Sequence, residues 1–419
     1  MTWQKHYNSR ILSPQDAVRK IKSNQRVFLT GNVSVPTKLL SALVDYAPEL
    51  ENVEICQAFT VGPADYARPE MEGHLRINTM FISANIREAV QAGRADFTPV
   101  LLSELPLLFK RGILPLDVAL IHVSRPDEHG FCSFGVEAGL TKSPADAATI
   151  TIAEVNQQMP RTLGDSFIHV SKLDYIVPVD YALPDVPMSH GTPSEATQKI
   201  AEYCAELIPD GATMQMGIGA IPDAVLKFLF DKKDLGIHTE LFSDGVIDLV
   251  DAGVLTNARK TLHPGKIVSG FILGTHRLYD WVDDNPLIEF HPTEYVNDPF
   301  VIAQNERMVA INSALEVDLT GQVCADSIGA KLYSGVGGQL DFIYGASRAV
   351  DGVPIIALPS TAKGGTVSRI AVMLQPGAGV VTTRNHVRYI VTEYGVADLY
   401  GKTIRQRARS SANLVRVSG

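Results

Sequence analysis

One glutamate stands alone in an apolar segment and therefore requires an explanation. Glu240 is the only carboxylate of residues 237–242, which are followed by a Ser-Asp-Gly turn. A carboxylate in an apolar strand is costly unless it is paired, hydrogen-bonded or used for chemistry. The sequence therefore marks Glu240 as a candidate catalytic residue, with an ion pair to an Arg or Lys as the structural alternative.

A glycine turn about twenty residues earlier is a candidate ligand site. Residues 216–222 read Met-Gly-Ile-Gly-Ala-Ile-Pro. Gly217 and Gly219 allow the backbone to approach a ligand closely, and the start of a helix leaves backbone N–H groups available. The same spacing is also typical of a tight strand-to-helix turn that holds no ligand.

Dinucleotide binding is a rival interpretation of the same turn. A strand, a G-x-G turn, a helix and an acidic residue about twenty positions later outline a Rossmann fingerprint. Glu240 follows Gly219 by 21 residues, which fits that outline. The third glycine of the fingerprint is missing, however, and Pro222 stands where close packing of helix and strand would favour glycine.

Two later segments are also rich in glycine. Residues 334–338 read Ser-Gly-Val-Gly-Gly, and residues 360–365 read Ser-Thr-Ala-Lys-Gly-Gly. The first is typical of a backbone N–H cradle or a close-packed turn. In the second, Lys363 could meet a phosphate group.

A weak internal repeat indicates two related halves. Gly31 and Pro36 precede Gly217 and Pro222 by the same 186 positions. Glu54 precedes Glu240 by that distance too, but only the second copy has both turn glycines. We therefore expect Glu240 to be functional and Glu54 to be structural.

Short apolar runs alternate with amphipathic segments along the whole chain, which predicts an α/β fold with mostly parallel sheets. Expected strands include residues 174–179, 353–358 and 388–392, and expected helices include 36–46 and 222–230. In such sheets, ligands bind at the carboxyl ends of the strands. Prolines and glycines around residues 184–194 mark a junction. We expect two similar α/β domains, residues 1–190 and residues 191–419, the second carrying Glu240.

Composition limits the classes of function. The 419 residues are 45% hydrophobic and carry a net charge of −9, which argues against general nucleic-acid binding. The four cysteines form no C-x-x-C pair and the histidines show no close paired spacing, so we expect no metal site. No apolar run reaches the length of a membrane span, and we expect a cytoplasmic protein with no membrane partner.

Taken together, these motifs resemble the acetyl-CoA hydrolase/transferase family within the class I coenzyme A transferases, most closely its 4-hydroxybutyrate CoA-transferase branch. The likeness covers nearly the whole chain, and it is carried by the turn at 216–222, by 238–245, by 334–342, by 361–365 and by the specific motif at 391–399. The family is built from two related α/β halves, in agreement with the repeat.

The resemblance implies a ping-pong CoA transfer through Glu240, with an acyl-glutamyl anhydride and a glutamyl-CoA thioester as intermediates. Backbone N–H groups near Gly219 and Gly338 would stabilise the oxyanions. Coenzyme A and acyl-CoA are then substrates, with no permanently bound cofactor. The residues implied in CoA binding are Gly217, Ile218, Gly219, Ala220, Ile221, Asn312, Gly335, Gly338 and Lys363.

Several alternatives remain at this stage. An acyl-CoA hydrolase of the same fold would use water to resolve the intermediate, and a non-catalytic CoA or nucleotide sensor would form no intermediate. The acceptor belongs to the 4-hydroxybutyrate, butyrate, acetate and propionate class, whose members differ by a few atoms. The resemblance suggests a homodimer or larger homo-oligomer. The family usually continues past the arginines of residues 405–409 with a further helical stretch, and residues 413–419 depart from that pattern.

Overall fold

The computed structural model describes residues 2–187 and 192–415. The chain divides into two compact units: Met1–Asp185 with Gly270–Glu294, and Val186–Ser269 with Tyr295–Gly419. The predicted boundary between residues 190 and 191 lies outside the described residues.

The elements of the first 185 residues alternate between strands and short helices. The strands are β1 (Arg26–Leu29), β2 (Val53–Gln57), β3 (Leu75–Thr79), β4 (Ala95–Phe97), β5 (Val118–Ser124), β6 (Phe131–Ser133), β7 (Ile150–Asn156), β8 (Phe167–His169) and β9 (Tyr175–Val179). The α-helices are α1 (Trp3–Ser9), α2 (Pro14–Val18), α3 (Thr37–Tyr46), α4 (Arg87–Gln91), α5 (Leu105–Lys110) and α6 (Lys142–Ala147).

The same alternation continues through the rest of the chain. The strands are β10 (Thr213–Met216), β11 (Gly236–Phe242), β12 (Ile267–Ile272), β13 (Ile288–Phe290), β14 (Met308–Ser313), β15 (Glu316–Asp318), β16 (Val323–Cys324), β17 (Ser327–Ile328), β18 (Lys331–Leu332), β19 (Val353–Ala357), β20 (Thr361–Ala362), β21 (Val367–Ser368), β22 (Ile370–Ala371), β23 (Tyr389–Thr392) and β24 (Gly395–Asp398). The helices are α7 (Glu195–Glu206), α8 (Ala220–Leu226), α9 (Gly245–Asp251), α10 (His276–Val282), α11 (Thr293–Val296), α12 (Pro299–Ile302), α13 (Gln339–Arg348) and α14 (Ile404–Ala412).

Each unit contains a sheet of parallel strands in the same order. In the first unit the order is β4-β3-β2-β1-β5-β7-β9, and every pair is parallel. In the second unit β11-β10-β14-β19-β23 repeats the order of β2-β1-β5-β7-β9, with antiparallel β24 at the edge. The predicted α/β fold with two similar halves and mostly parallel sheets is confirmed.

Helices cover these sheets, so the strands are apolar along most of their length. All seven residues of β5 are buried, as expected for a parallel strand with both faces covered. The core of the first unit packs α3 through Leu39 and Leu43 onto this sheet. The core of the second unit packs α13 through Phe342 and Ile343. In each unit, packing therefore fixes the sheet from which the connecting loops extend.

In the first unit, a buried carboxylate meets the beginning of helix α3. Glu154 on β7 is fully buried; its Oε1 accepts the backbone N–H of Leu39 at 2.6 Å, and its Oε2 accepts the Tyr181 hydroxyl at 2.5 Å. Burial raises the pKa of Glu154 to about 7, although these donors partly oppose the shift. The chain's own carboxylate thus occupies a place that suits an anion.

None of the helices within 2–187 and 192–415 has the length and apolar character that crossing a bilayer requires. Cys56, Cys132, Cys204 and Cys324 are free and buried, as expected of scattered thiols.

Candidate active site

The candidate residues of the second unit follow the carboxyl ends of neighbouring parallel strands. Gly217 comes directly after β10, Asn312 is the penultimate residue of β14, and Lys363 follows the end of β19 by a few residues. Since the carboxyl ends of parallel strands meet at one edge of the sheet, the topology places these segments along the same edge. Glu240 lies on β11, the neighbour of β10.

The turn at residues 217–221 is open. A β-carbon built on Gly217 or Gly219 would meet no atom within 4 Å. Gly219 has φ of +116°, a conformation that favours glycine, and it directly precedes helix α8 without a side-chain cap. Ala220 and Ile221 form the first positions of that helix. The backbone of this turn is therefore accessible to a ligand.

Glu240 has an amide partner instead of a cation. Asn297 is fully buried, and its Nδ2 donates a hydrogen bond to Oε2 of Glu240 at 3.1 Å. Among the described residues, no Lys, Arg or His forms an ion pair with this carboxylate, so the ion-pair alternative considered for Glu240 is not observed. Burial raises the pKa of Glu240 to about 7, while Asn297 and the backbone N–H of Gly338 lower it.

The backbone of Gly338 lies close to this carboxylate. A β-carbon at residue 338 would lie 1.9 Å from Oε2 of Glu240 and 2.5 Å from Nδ2 of Asn297. Its φ of −91° is open to any residue, so close approach alone requires glycine here. Sequence positions 240, 297 and 338 therefore meet at one carboxylate, although nearly a hundred residues separate the first from the last.

Glu54, the sequence counterpart of Glu240, has a different structural position. It forms an ion pair with Arg26, whose Nε and Nη2 each lie 2.8 Å from Oε2. It lies near the beginning of β2, whereas Glu240 is the fifth residue of β11. The equal offset of 186 positions is therefore not a structural equivalence, although the expectation that Glu54 is structural agrees with its ion pair.

Strand register identifies the true counterpart. With Gly31 aligned to Gly217, Phe28 corresponds to Met214. Phe28 pairs with Cys56, whereas Met214 pairs with Ile237. Counting three residues onward from each partner places Phe59 opposite Glu240, so the first half has no carboxylate at the position of Glu240.

The remaining candidates make other contacts. Asn312 donates through Nδ2 to Oε1 of Gln215 at 3.0 Å, and the carbonyl of Gly335 accepts the Ser334 hydroxyl. Lys363 is exposed in a turn with φ of +49°. In the described part of the chain, neither Lys363 nor the turn at 217–221 hydrogen-bonds to the Glu240 side chain.

Two supporting residues were not singled out from the sequence. Asn297 belongs to no recognisable motif, and its role depends on a contact between residues 57 positions apart. Glu393 accepts the backbone N–H and the hydroxyl of Ser360, at 2.8 and 2.6 Å, and so holds the base of the Lys363 turn. Glu393 lies inside the 391–399 motif, which was a signal for its importance but not for its partner.

Comparison with known proteins identifies the family of this chain. Residues 1–185 match the model of the acetyl-CoA hydrolase/transferase N-terminal domain, and residues 274–417 match that of the C-terminal domain.

Named relatives and solved structures agree with the family models. A 4-hydroxybutyrate coenzyme A transferase of Clostridium kluyveri is 52% identical over 99% of this chain and 96% of its own length. A succinyl-CoA:acetate/propanoyl-CoA:succinate CoA transferase of Fasciola hepatica is 48% identical over 93% of this chain and 82% of its own. The crystal structure of a 4-hydroxybutyrate CoA-transferase of Porphyromonas gingivalis superposes with a TM-score of 0.86 at 41% identity, over 99% of this chain and 96% of its own. The family resemblance is thereby confirmed, and the chain belongs to the acetyl-CoA hydrolase/transferase family of enzymes.

Proposed function

We propose that this protein transfers coenzyme A between an acyl-CoA and a short-chain carboxylate, with Glu240 as the covalent nucleophile. The observation that carries the proposal is a partly buried carboxylate with no cationic partner among the described residues, held by Asn297 and touched by the Gly338 backbone. Such a group is poorly solvated and has one amide donor to orient it, as a nucleophile requires.

The proposed reaction has two matching halves. A carboxylate oxygen of Glu240 attacks the thioester carbonyl and forms a tetrahedral intermediate. The carbon–sulfur bond of that intermediate then breaks, which releases CoA as the thiolate and leaves an acyl-glutamyl anhydride. The thiolate then attacks the glutamyl carbonyl, which releases the first carboxylate and leaves a glutamyl-CoA thioester. The acceptor carboxylate repeats these steps in reverse and restores the Glu240 carboxylate, so no net proton is taken up or released.

Each tetrahedral intermediate needs hydrogen-bond donors for its oxyanion. Gly338 has its backbone against the reacting carboxylate, and the open turn at Gly217–Gly219 offers backbone N–H groups near the same edge of the sheet. Losing one such donor typically costs ~10² to 10³ in rate. We assign Gly338 and Gly219 to this role, and we assign CoA binding to the turn at 217–221 and to Asn312, Gly335 and Lys363.

A hydrolase of the same fold is the second candidate. It would share Glu240 and the first half-reaction, but water would resolve the covalent intermediate. Both relatives described above carry transferase names, which favours the transferase. By the same likeness we propose 4-hydroxybutyrate, butyrate, acetate or propionate as the acceptor class, and a homodimer or larger homo-oligomer as the working state.

Intact mass spectrometry after mixing with acetyl-CoA or butyryl-CoA tests the mechanism. We expect a CoA-sized adduct on the wild-type protein that acetate discharges, and none on the Glu240→Ala variant. Glu54→Gln is the matched control, since Glu54 is held by Arg26 outside the site, and it should form the adduct normally. An adduct that persists in Glu240→Ala would overturn the proposal, and thiol release independent of any carboxylate would favour the hydrolase.

A further inference from the structure

A buried glutamine amide ties the beginning of helix α13 to the end of strand β14. Gln339 is 6% exposed and is the first residue of α13. Its Nε2 donates to the backbone carbonyl of Ser313 at 2.6 Å, and its Oε1 accepts the hydroxyl of Thr382 at 3.1 Å. Both ends of the amide are satisfied, and only an amide has a donor and an acceptor in this arrangement.

Both partners of this amide are themselves fixed. Ser313 is the last residue of β14 and pairs with Ala357 of β19. Thr382 is fully buried, and its backbone exchanges hydrogen bonds with that of Val323 at 3.0 and 3.3 Å. The Gln339 side chain therefore connects the start of α13 to two rigid backbone positions.

Gln339 is covalently joined to the residue that touches the catalytic carboxylate. Because the Gln339 side chain is anchored at both ends of its amide, a shift of the adjoining Gly338 backbone must be taken up by the side-chain torsions or the hydrogen bonds of Gln339. A displacement of Gly338 toward Glu240 is blocked by the close approach already described, whereas a displacement away would remove a donor from the carboxylate.

We infer that Gln339 is a positioning residue for the reaction: its amide holds the Gly338 peptide against Glu240 at the distance that the chemistry uses. This inference rests on the proposed role of Glu240. Among the described residues, Gln339 makes no hydrogen bond to the carboxylate itself, so its effect passes through Gly338. A misplacement of about 1 Å in such a site can cost about 10²-fold in rate.

The Gln339→Met variant tests the inference. Methionine has a similar length and is also uncharged, but it has no amide group and so cannot make the two hydrogen bonds. We expect kcat to fall about 10- to 100-fold, with the KM for acyl-CoA changed by less than about 3-fold. The acidic limb of the pH–rate profile should move to higher pH, because the Gly338 donor lowers the pKa of Glu240. A residue that only packs would lower the melting temperature and leave this limb in place.

Three further variants keep the test decisive. Thr382→Val removes one of the two hydrogen bonds and should give a smaller change in the same direction, whereas Thr382→Ser keeps the hydroxyl and should restore the wild-type profile. Gln304→Met is the matched control, since the Gln304 amide donates to the exposed backbone carbonyl of Phe300. If Gln339→Met does not fold, the Thr382 pair decides the outcome alone.

The outcomes separate this inference from the proposed function. An unshifted pH profile with undiminished kcat in Gln339→Met and Thr382→Val would overturn the positioning role while leaving Glu240 as nucleophile. A CoA adduct that still forms in Glu240→Ala would instead overturn the proposed function.

Discussion

The Gly338 backbone and the Glu240 carboxylate are so close that a single methyl group does not fit between them. A β-carbon on Gly338 would come within 1.9 Å of Oε2, a separation that non-bonded atoms do not adopt. The contact joins the beginning of α13 to β11, two elements that are distant in sequence. It makes the geometry of the proposed nucleophile sensitive to the addition of a single methyl group.

We predict that Gly338→Ala lowers kcat by about 10² or more, because the added methyl group displaces the carboxylate or the donor. Gly345→Ala is a matched control on the same helix, since its β-carbon would meet the Ile302 side chain at 2.5 Å, away from Glu240. Thermal unfolding and adduct formation should be measured for both variants. Equal loss of adduct formation in Gly345→Ala would show that general destabilisation, not local geometry, explains the effect.

We predict an acidic limb with an apparent pKa of about 7 in the profile of kcat/KM against pH. Burial raises the pKa of Glu240 to about 7, and only the ionised carboxylate is a nucleophile, so the rate should fall as the pH drops through that value. Asn297→Ala removes the amide donor and should move the limb to higher pH. Asn413→Ala, an exposed amide beyond helix α14, is the control. An unmoved limb in Asn297→Ala would contradict the assigned role of that amide.

We predict that Glu54→Gln leaves kcat within about 2-fold of the wild type, while the free energy of unfolding falls by about 1 to 3 kcal/mol. The Arg26 guanidinium loses its charged partner in this variant, and both side chains are partly buried. Chemical denaturation and steady-state rates provide the two measurements. A loss of activity without a loss of stability would show that Glu54 takes part in the reaction.

We predict that Glu154 makes the first unit less stable as the pH rises toward neutrality. Its folded-state pKa of about 7 lies above the usual 4.5, so its contribution is complete below about pH 4.5 and is lost as the pH rises through 7. Glu154→Gln cannot ionise and should flatten this dependence, with a difference on the order of 3 kcal/mol between the two pH extremes. Urea unfolding from pH 4.5 to 8 measures it, with exposed Glu70→Gln as control. Parallel curves for wild type and Glu154→Gln would refute the prediction.

Contiguous motifs made the fold and part of the site predictable. Gly217 and Gly219 predicted a turn after a strand. Glu240 was a candidate because its neighbours in the sequence are mostly apolar. Asn297 and Gln339 could not be assigned in this way, since their roles depend on contacts with Glu240 and Ser313 that only folding creates.

The alignment of Glu54 with Glu240 shows a second limit of prediction from the sequence. A constant sequence offset aligns residues, but strand register decides which of them lie side by side. Here the register differs by five positions between the two alignments, enough to move a carboxylate from one end of a strand to the other.

The position of Glu154 also predicts how the two halves differ in their tolerance of substitutions. In the first half, the start of helix α3 is occupied by an internal carboxylate and a tyrosine hydroxyl, whereas in the second half the corresponding turn is open. Mutational scanning should therefore give different effects on protein abundance and on enzyme activity at these two strand-to-helix turns. Around Leu39 and Glu154, harmful substitutions should lower the amount of folded protein. Around Gly217 and Gly219, harmful substitutions should lower the catalytic rate and leave the amount of protein unchanged.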